Sequence, residues 1–262
     1  MDTGIIALIG RSFIAICDEL GSLFIFLGEA LKTAVTTRLN VAQFFIHMKR
    51  IGVDSFIIIF LTGLSAGLAL ALQTNIGFSR FGIEEFIGTV VALGMTRELG
   101  PVLTGLMVTG RAGSAIAAEI GTMRITEQID ALKTLCINPF QYLIVPRLIA
   151  GIIILPFLTI FSMLCGIIGG YLYCVYQLNL NPESYISGIQ QFVEMKDITG
   201  GLIKASCFGF IMTWVGTYQG YQTVGGARGV GISTTRSVVL ASILILIANY
   251  FLSAFLNQVG IS

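Results

Sequence analysis

Five apolar segments of about 20 residues or more constrain the fold of this chain more than any other feature. A helix that crosses the hydrocarbon core of a membrane needs about 20 mainly apolar residues. The segments that meet this requirement run approximately over residues 51–72, 86–110, 148–176, 200–221 and 238–259. Of the 262 residues, 55% are hydrophobic and only 11% are charged, whereas soluble domains carry about 25% charged residues. The sequence therefore predicts an all-α membrane protein with five transmembrane helices.

The first 48 residues differ from the rest, because charged residues interrupt every apolar stretch. Apolar side chains recur there at spacings of three or four, at Ile9, Phe13, Ile16, Leu20, Leu23 and Leu27. This spacing is typical of an amphipathic helix that lies along the membrane interface. We therefore divide the chain into an N-terminal interfacial region, residues 1–48, and a five-span domain, residues 49–262. The alternative is that the first region forms a sixth, poorly apolar span.

The basic residues predict the orientation of the chain, because cytoplasmic loops are enriched in Lys and Arg. With a cytoplasmic N-terminus, that side holds eleven of the 15 basic residues: Arg11, Lys32, Arg38, Lys49, Arg50, Arg111, Arg124, Lys133, Arg147, Arg228 and Arg236. The opposite loops hold only Arg80 and Lys196, and the other two basic residues fall within spans. Five spans then place the C-terminus on the outer side.

The sequence contains no arrangement of residues that is typical of catalysis or of metal binding. His47 is the only histidine, and the five cysteines are scattered without metal-ligand spacing, so we expect free thiols and no disulfide framework. No GxxxxGK[ST] motif is present for nucleotide phosphates, and a net charge of +1 gives no case for a nucleic-acid partner. We therefore predict a non-catalytic chain without a metal site, with His47 at the membrane interface.

The second span carries two adjacent charges, Arg97 and Glu98, within apolar sequence. A charged side chain at bilayer depth costs about 2.5–3.5 kcal/mol on insertion scales. Neighbouring side chains on a helix do not face each other, so each charge needs another partner or a wet cavity. Lys204 of the fourth span is the candidate partner of Glu98. Pro101 follows in sequence, and because proline has no N–H it leaves a backbone carbonyl free one turn earlier.

These intramembrane charges have two interpretations. They either line a transport cavity or form an ion-pair network that only fixes helix register. The remaining residues of the spans are mostly apolar or glycine, with no row of polar side chains for a hydrophilic solute. A mainly apolar cavity with a few charges suits an amphiphile with a charged head, such as a lipid.

Two connections on the predicted cytoplasmic side carry patterns of their own. Between the second and third spans, residues Glu119 to Leu135 place apolar side chains on one helical face and charges on the other. This predicts a surface helix that needs a partner, either the membrane surface or a protein. Before the fifth span, "GGARGVGISTTR" (Gly225 to Arg236) predicts a tight turn with Ser233 capping the last helix. Anion binding is the alternative.

Small residues four apart predict close helix packing in three spans. The pairs are Gly63 and Gly67, Gly166 and Gly170, and Gly216 and Gly220.

The block "RELGPVLTGLMVTGRAGSAIAAEIGTMRITEQIDALKTLCINPFQYLIVPRLIAG" resembles the signature of the MlaE/YrbE permease family. These proteins are the membrane subunits of MCE-type ABC transporters for phospholipids, the Mla system among them. The segments "GLALALQ" (Gly67 to Gln73) and "STTRSVV" (Ser233 to Val239) support the resemblance, which covers about residues 45–260.

The resemblance implies the partners and the function of the chain. It implies a homodimer with an ABC ATPase dimer (MlaF-like) beneath it, a hexameric MCE protein (MlaD-like) on its periplasmic side and a STAS-domain protein (MlaB-like) on the ATPase. ATP and Mg²⁺ would be bound by the ATPase, so no cofactor is expected on this chain. The complex would move phospholipid between the bacterial inner membrane and the periplasm and keep the outer membrane's lipids asymmetric.

The resemblance also implies residue roles. The helix from Glu119 to Leu135 would be the coupling helix that seats in the ATPase, with Glu119, Arg124, Glu127, Gln128 and Asp130 as its polar residues. The lipid cavity would be lined by Leu70, Arg97, Glu98, Leu99 and Lys204.

Two other classes of protein stay open from the residues alone. A secondary transporter or ion-coupled permease would use Arg97, Glu98 and Lys204 as an ion path and would need no ATPase. A scaffold would only anchor other subunits and would have no lipid-sized cavity. A plastid location is the alternative to a bacterial inner membrane.

Overall fold

The structure is a computed structural model that describes the backbone of residues 2–37 and 40–260, and side chains from residue 14 onward except those of 15, 16, 38, 39, 261 and 262. The described chain is all-helical and contains eleven α-helices. They are α1 (Asp2–Thr36), α2 (Val41–Gly52), α3 (Phe56–Phe78), α4 (Ile87–Gly94), α5 (Gly100–Val108), α6 (Ser114–Ile125), α7 (Gln128–Thr134), α8 (Val145–Tyr176), α9 (Pro182–Phe192), α10 (Met195–Tyr221) and α11 (Gly226–Val259). Turns of 3-10 helix join α2 to α3 and lead into α4, and π-helical turns join α4 to α5, join α5 to α6 and lead into α8.

Five helical runs of the described chain are long and apolar enough to cross a membrane. They are Val41–Phe78, Glu84–Ile125, Phe140–Tyr176, Met195–Tyr221 and Gly226–Val259. Each run contains one predicted segment, so the prediction of five spans is confirmed. All five runs extend beyond the predicted limits. The second run continues past residue 110, where a loop was predicted to begin at Arg111. The side chain of Arg111 is instead held against the first span, because its Nε donates to the Oγ of Ser55 at 2.8 Å.

The third span lies at the centre of the bundle, where α8 packs along both α3 and α10. The closest approach is between Gly67 and Gly166: a Cβ added at Gly67 would lie 1.8 Å from the carbonyl oxygen of Gly166. Only glycine allows two helix backbones to come this near. Two of the predicted small-residue motifs therefore meet each other across the α3–α8 contact.

The N-terminal helix α1 packs on the bundle through the second half of its apolar stripe. Leu23 is buried and Leu27 is partly buried, and Phe26 contacts the rings of Phe140 and Tyr218. Leu20 stays exposed. The side chains of Ile9, Arg11, Phe13 and Ile16, and all of Arg38, lie outside the described residues. The predicted boundary between residues 48 and 49 falls within α2, which Asn40 caps by accepting from the N–H of Gln43.

The connections contain one further helix and correct one prediction. On the predicted outer side, Asn181 caps α9 by accepting from the N–H of Glu183 at 3.0 Å. Before the fifth span, the prediction that Ser233 caps the last helix is wrong. Gly225 and Gly226 take positive φ values of 88° and 66°, so the turn is complete there and Ser233 lies inside α11.

Candidate functional site

The charged segment of the second span forms a π-helical turn, Met95–Leu99. The N–H of Gly100 donates to the carbonyl of Met95, five residues back. Pro101 comes next and has no N–H, so it cannot bond the carbonyl of Arg97. A π-bulge of this kind marks a functional site more often than a regular helix does. The local sequence therefore opens the helix where the two charges stand.

Lys204 of α10 occupies the opening. Its ammonium donates to the freed carbonyl of Arg97 at 2.8 Å and to the Oε1 of Glu98 at 2.8 Å. Only 2% of the Lys204 side chain is exposed, and a buried ammonium is tolerated only when it is paired and hydrogen-bonded. The predicted pairing of Lys204 with Glu98 is confirmed.

Glu98 also binds the fifth span. The Nδ2 of Asn249 donates to its Oε2 at 2.9 Å, and the Oγ of Ser253 donates to its Oε1 at 2.9 Å. One carboxylate therefore joins the second, fourth and fifth spans. Its side chain is still 46% exposed, so part of it remains available to a ligand.

Arg97 pairs with Asp197 at the start of α10. Its Nε and Nη2 both approach Asp197 Oδ1 at 2.7 Å, and the other carboxylate oxygen accepts from the N–H of Glu194 in a capping box. Asp197 is buried, but 45% of the Arg97 side chain is exposed. Within the described part of the chain, the Nη1 of Arg97 has no hydrogen-bond partner.

We define these six side chains, Arg97, Glu98, Asp197, Lys204, Asn249 and Ser253, as the charged cluster. Sequence reasoning found three of its members and missed the others. Asn249 and Ser253 could have been found as a polar pair at helical spacing in an apolar span. Asp197 could have been found through the E-x-x-D capping pattern that begins at Glu194.

Leu70 and Leu99 lie beside the charged cluster. Leu99 belongs to the π-helical turn, and both leucines are partly buried against a core cluster formed by the first three spans and α9. The Cδ2 of Leu70 lies 3.0 Å from the position that a Cβ on Gly94 would occupy, one turn before Glu98. The structure thus places all five predicted cavity residues in one region of the molecule.

The connection between the second and third spans corrects the predicted single helix from Glu119 to Leu135. Glu127 has a φ of 59°, in the left-handed region, and an L-residue in that conformation cannot continue an α-helix. α6 therefore ends at Ile125 and α7 is a separate short helix. The buried side chain of Ile129 holds α7 against the core.

Ion pairs centred on Asp130 connect α7 to α6. Arg124 Nη1 and Lys133 Nζ donate to Asp130 Oδ1 at 3.1 and 3.2 Å. The hydrogen bond from Lys133 lowers the pKa of the Asp130 carboxyl below its usual range, and the same bond raises the pKa of Lys133. Glu127 and Gln128 are exposed and make no side-chain bond within the described part of the chain.

Glu119 is placed differently from the other predicted coupling residues. Its carboxylate pairs with Arg147 at 3.1 Å and with Arg50 at 2.8 Å, and the Arg147 side chain is only 1% exposed. His47 lies in the same region and is buried, because α2 packs on α8 through the face that carries it. The position of His47 at the membrane interface stays a prediction, and its side chain there is covered by other helices. Glu119 joins the first three spans.

The five cysteines are free. Within the described residues, no group of three or more His, Cys, Asp or Glu side chains is placed to hold a metal ion.

The fold and the charged cluster define a multi-span α-helical membrane protein with paired charges inside its helix bundle. The family model described as Permease MlaE matches residues 44–255. A probable ABC transporter permease protein of Rickettsia typhi is 44% identical over 252 residues, which cover 96% of this chain and 97% of the relative. The intermembrane phospholipid transport system permease protein MlaE of Haemophilus influenzae is 40% identical over 82% of each chain. The chloroplastic protein TRIGALACTOSYLDIACYLGLYCEROL 1 of Arabidopsis thaliana is 39% identical over 81% of this chain and 61% of its own. The chain belongs to the MlaE permease family.

Proposed function

We propose that this chain is the permease subunit of an ATP-driven transporter that moves phospholipids between a bacterial inner membrane and the periplasm. The relative from Haemophilus influenzae, named for intermembrane phospholipid transport, supports the substrate class. The relative from Rickettsia typhi, named as an ABC transporter permease, supports a separate ATPase. On this proposal the transporter keeps the outer membrane's lipids asymmetric.

The partial exposure of Arg97 and Glu98 within the charged cluster is the structural observation that carries this proposal. Here Arg97 and Glu98 keep 45% and 46% of their side chains exposed next to two apolar side chains, Leu70 and Leu99. A guanidinium suits a lipid phosphate, because it donates charge-assisted hydrogen bonds in a planar fork. The leucines suit the acyl chains.

The remaining parts of the proposal concern assembly. Two copies of the chain form a homodimer, and the lipid cavity lies between them. The N-terminus is cytoplasmic and the C-terminus is periplasmic. A hexameric MCE protein receives or delivers lipid on the periplasmic side, and a STAS-domain protein binds the ATPase. This chain itself binds no ATP or Mg²⁺.

In this mechanism, ATP binding on the partner brings the two permeases together. The exposed polar surface of α7 and the preceding turn, residues 126–134, transmits that motion. The ion pair between Arg124 and Asp130 keeps α7 attached to α6. A displacement of α7 therefore also moves the second span and its charged cluster. The cavity then closes and expels its lipid.

A pull-down from native membranes followed by mass spectrometry tests the proposed function. We expect an ABC ATPase subunit and phospholipid to accompany this chain. If neither is recovered while lipid or ion flux persists without ATP, the chain is a secondary transporter and the proposal is wrong.

Replacing Glu127 with lysine tests the coupling surface. Glu127 makes no ion pair within the described part of the chain, so Glu127→Lys should leave the bundle folded and abolish most lipid-stimulated ATPase activity in nanodiscs. Glu183→Lys is the control, because it makes an equal change of charge on α9, which lies on the predicted outer side. It should retain that activity. Full stimulation in Glu127→Lys would exclude α7 from coupling.

A further inference from the structure

Two adjoining cavities lie between α1, α10 and α11, away from the charged cluster. Their volumes are about 500 and 290 Å³, and together they are in the range of small-molecule sites. Four residues line both cavities: Glu19, Tyr218, Gln219 and Arg236. With a rise of 1.5 Å per residue along α10, Gln219 lies about 22 Å from Lys204. The cavities are therefore a separate site at the other end of the bundle.

The two cavities differ in character. The larger one is lined on one side by aliphatic residues, which are Leu20, Leu23, Val239, Leu240 and Ile243. The smaller one adds polar groups near the end of α10 and the start of α11, including Gln222 and Ser233. An amphiphile would find an apolar region and a polar region side by side.

Three of the four side chains at the junction lack a protein partner among the described residues, whereas the hydroxyl of Tyr218 bonds that of Ser22. Gln219 is only 6% exposed, its side-chain amide makes no hydrogen bond within the described part of the chain, and it lines both cavities. An amide carries both donors and an acceptor, so this one can bond a polar group of a ligand in the cavities. Glu19 and Arg236 carry opposite charges at the same junction, and neither forms an ion pair with any described residue.

We infer that these cavities bind a phospholipid whose head carries a phosphate and a primary ammonium. Arg236 donates to the phosphate, Glu19 accepts from the ammonium, and the Gln219 amide bonds the head between them. One acyl chain lies along the aliphatic wall of α1 and α11. In the proposed orientation this lipid comes from the cytoplasmic leaflet. That choice of leaflet rests on the proposed function, whereas the binding site does not.

Photo-crosslinking tests this inference. The full chain is placed in phosphatidylcholine nanodiscs that contain phosphatidylethanolamine with a diazirine in one acyl chain, and labelled peptides are identified by mass spectrometry. We expect labelling of peptides from α1, α10 and α11 around the cavity. Arg236→Ala and Gln219→Leu should each reduce it about tenfold, as expected for the loss of a hydrogen bond to a charged group. Arg228→Ala, an exposed position on α11 outside both cavities, is the control.

Glu19→Gln tests the ammonium assignment separately. It should reduce labelling by phosphatidylethanolamine and leave labelling by a matching phosphatidylglycerol probe unchanged. The wild-type chain should label more strongly with the first probe than with the second, and inorganic phosphate should not compete.

Equal labelling in Arg236→Ala, Gln219→Leu and Arg228→Ala would overturn the inference. Equal use of both probes with no effect of Glu19→Gln would overturn the head-group assignment. Crosslinks to a second copy of the chain in place of lipid would make these cavities a protein interface and also overturn it. Retained labelling in a chain that shows no ATP-dependent transport would contradict the proposed function and leave this site standing.

Discussion

At the scale of residues, the ammonium group of Lys204 bonds two polar groups of the second span. Pro101 frees the carbonyl of Arg97, and Lys204 bonds both that carbonyl and the carboxylate of Glu98. The same lysine thus compensates a backbone defect and a charge. Without it, both groups would lack their main partner in an apolar environment.

Replacing Lys204 with methionine should therefore destabilise the fold by about 2–4 kcal/mol, because it leaves a carboxylate and a carbonyl short of a donor. Unfolding by SDS titration of the purified protein measures this. Lys196→Met is the matched control: its pair with Glu194, at 3.5 Å, is exposed on both sides, so we expect less than about 1 kcal/mol. Glu98→Met added to Lys204→Met should recover part of the loss. Equal stability of the two single variants would show that the Lys204 contacts contribute nothing.

The sequence predicted part of this cluster. Glu98 and Lys204 are opposite charges in separate spans, and a buried charge needs a partner, so their pairing could be predicted. The same argument from buried charge could not identify Asp197 as a partner of Arg97. Asp197 lies in the first turn of a helix, where an acidic residue is common. Asn249 and Ser253 are uncharged and carry no comparable energetic demand. Their contact with Glu98 depends on how α11 is rotated about its axis, which sequence spacing alone does not fix.

At the scale of helices, close packing between α3 and α8 holds the centre of the bundle. Gly67→Ala would place a methyl group 1.8 Å from the carbonyl oxygen of Gly166, so the two helices must separate. We expect a loss of about 1–3 kcal/mol in stability, as for other overpacked cores.

Gly77→Ala is the control for this change, since Gly77 lies on the same helix and no atom of the described residues lies within 4 Å of the added Cβ. Thermal unfolding in detergent compares the two variants. A Gly67→Ala protein as stable as Gly77→Ala would mean that this glycine contact does not limit packing.

The sequence predicted which helices are present more accurately than where each helix begins and ends. The five spans follow from apolar length, but local backbone geometry determines their limits. The left-handed conformation of Glu127 ends the predicted coupling helix early, and nothing about a glutamate at that position indicates it in advance. Conversely, Arg111 was expected in a loop, and its bonds to α2 and the following turn keep it within the second span.

At the scale of the whole molecule, the bundle exposes much apolar surface. In the most apolar stretch of α11 only 11% is buried within the chain, and α11 also carries two members of the charged cluster. Lipid, a second copy of the chain, or both must cover this helix. The proposed homodimer with a lipid cavity between its copies places the exposed parts of Arg97 and Glu98 toward the substrate.

The most direct test of this account is photo-crosslinking from the cavity residues. A benzophenone amino acid replaces Leu99 in one variant and Phe157, an exposed residue of α8, in another, and each is irradiated in the assembled transporter with radiolabelled phospholipid. The account predicts that Leu99 crosslinks lipid and loses that lipid when ATP is bound, while Phe157 crosslinks lipid regardless of ATP. Crosslinks from Leu99 to protein alone, in every nucleotide state, would contradict it.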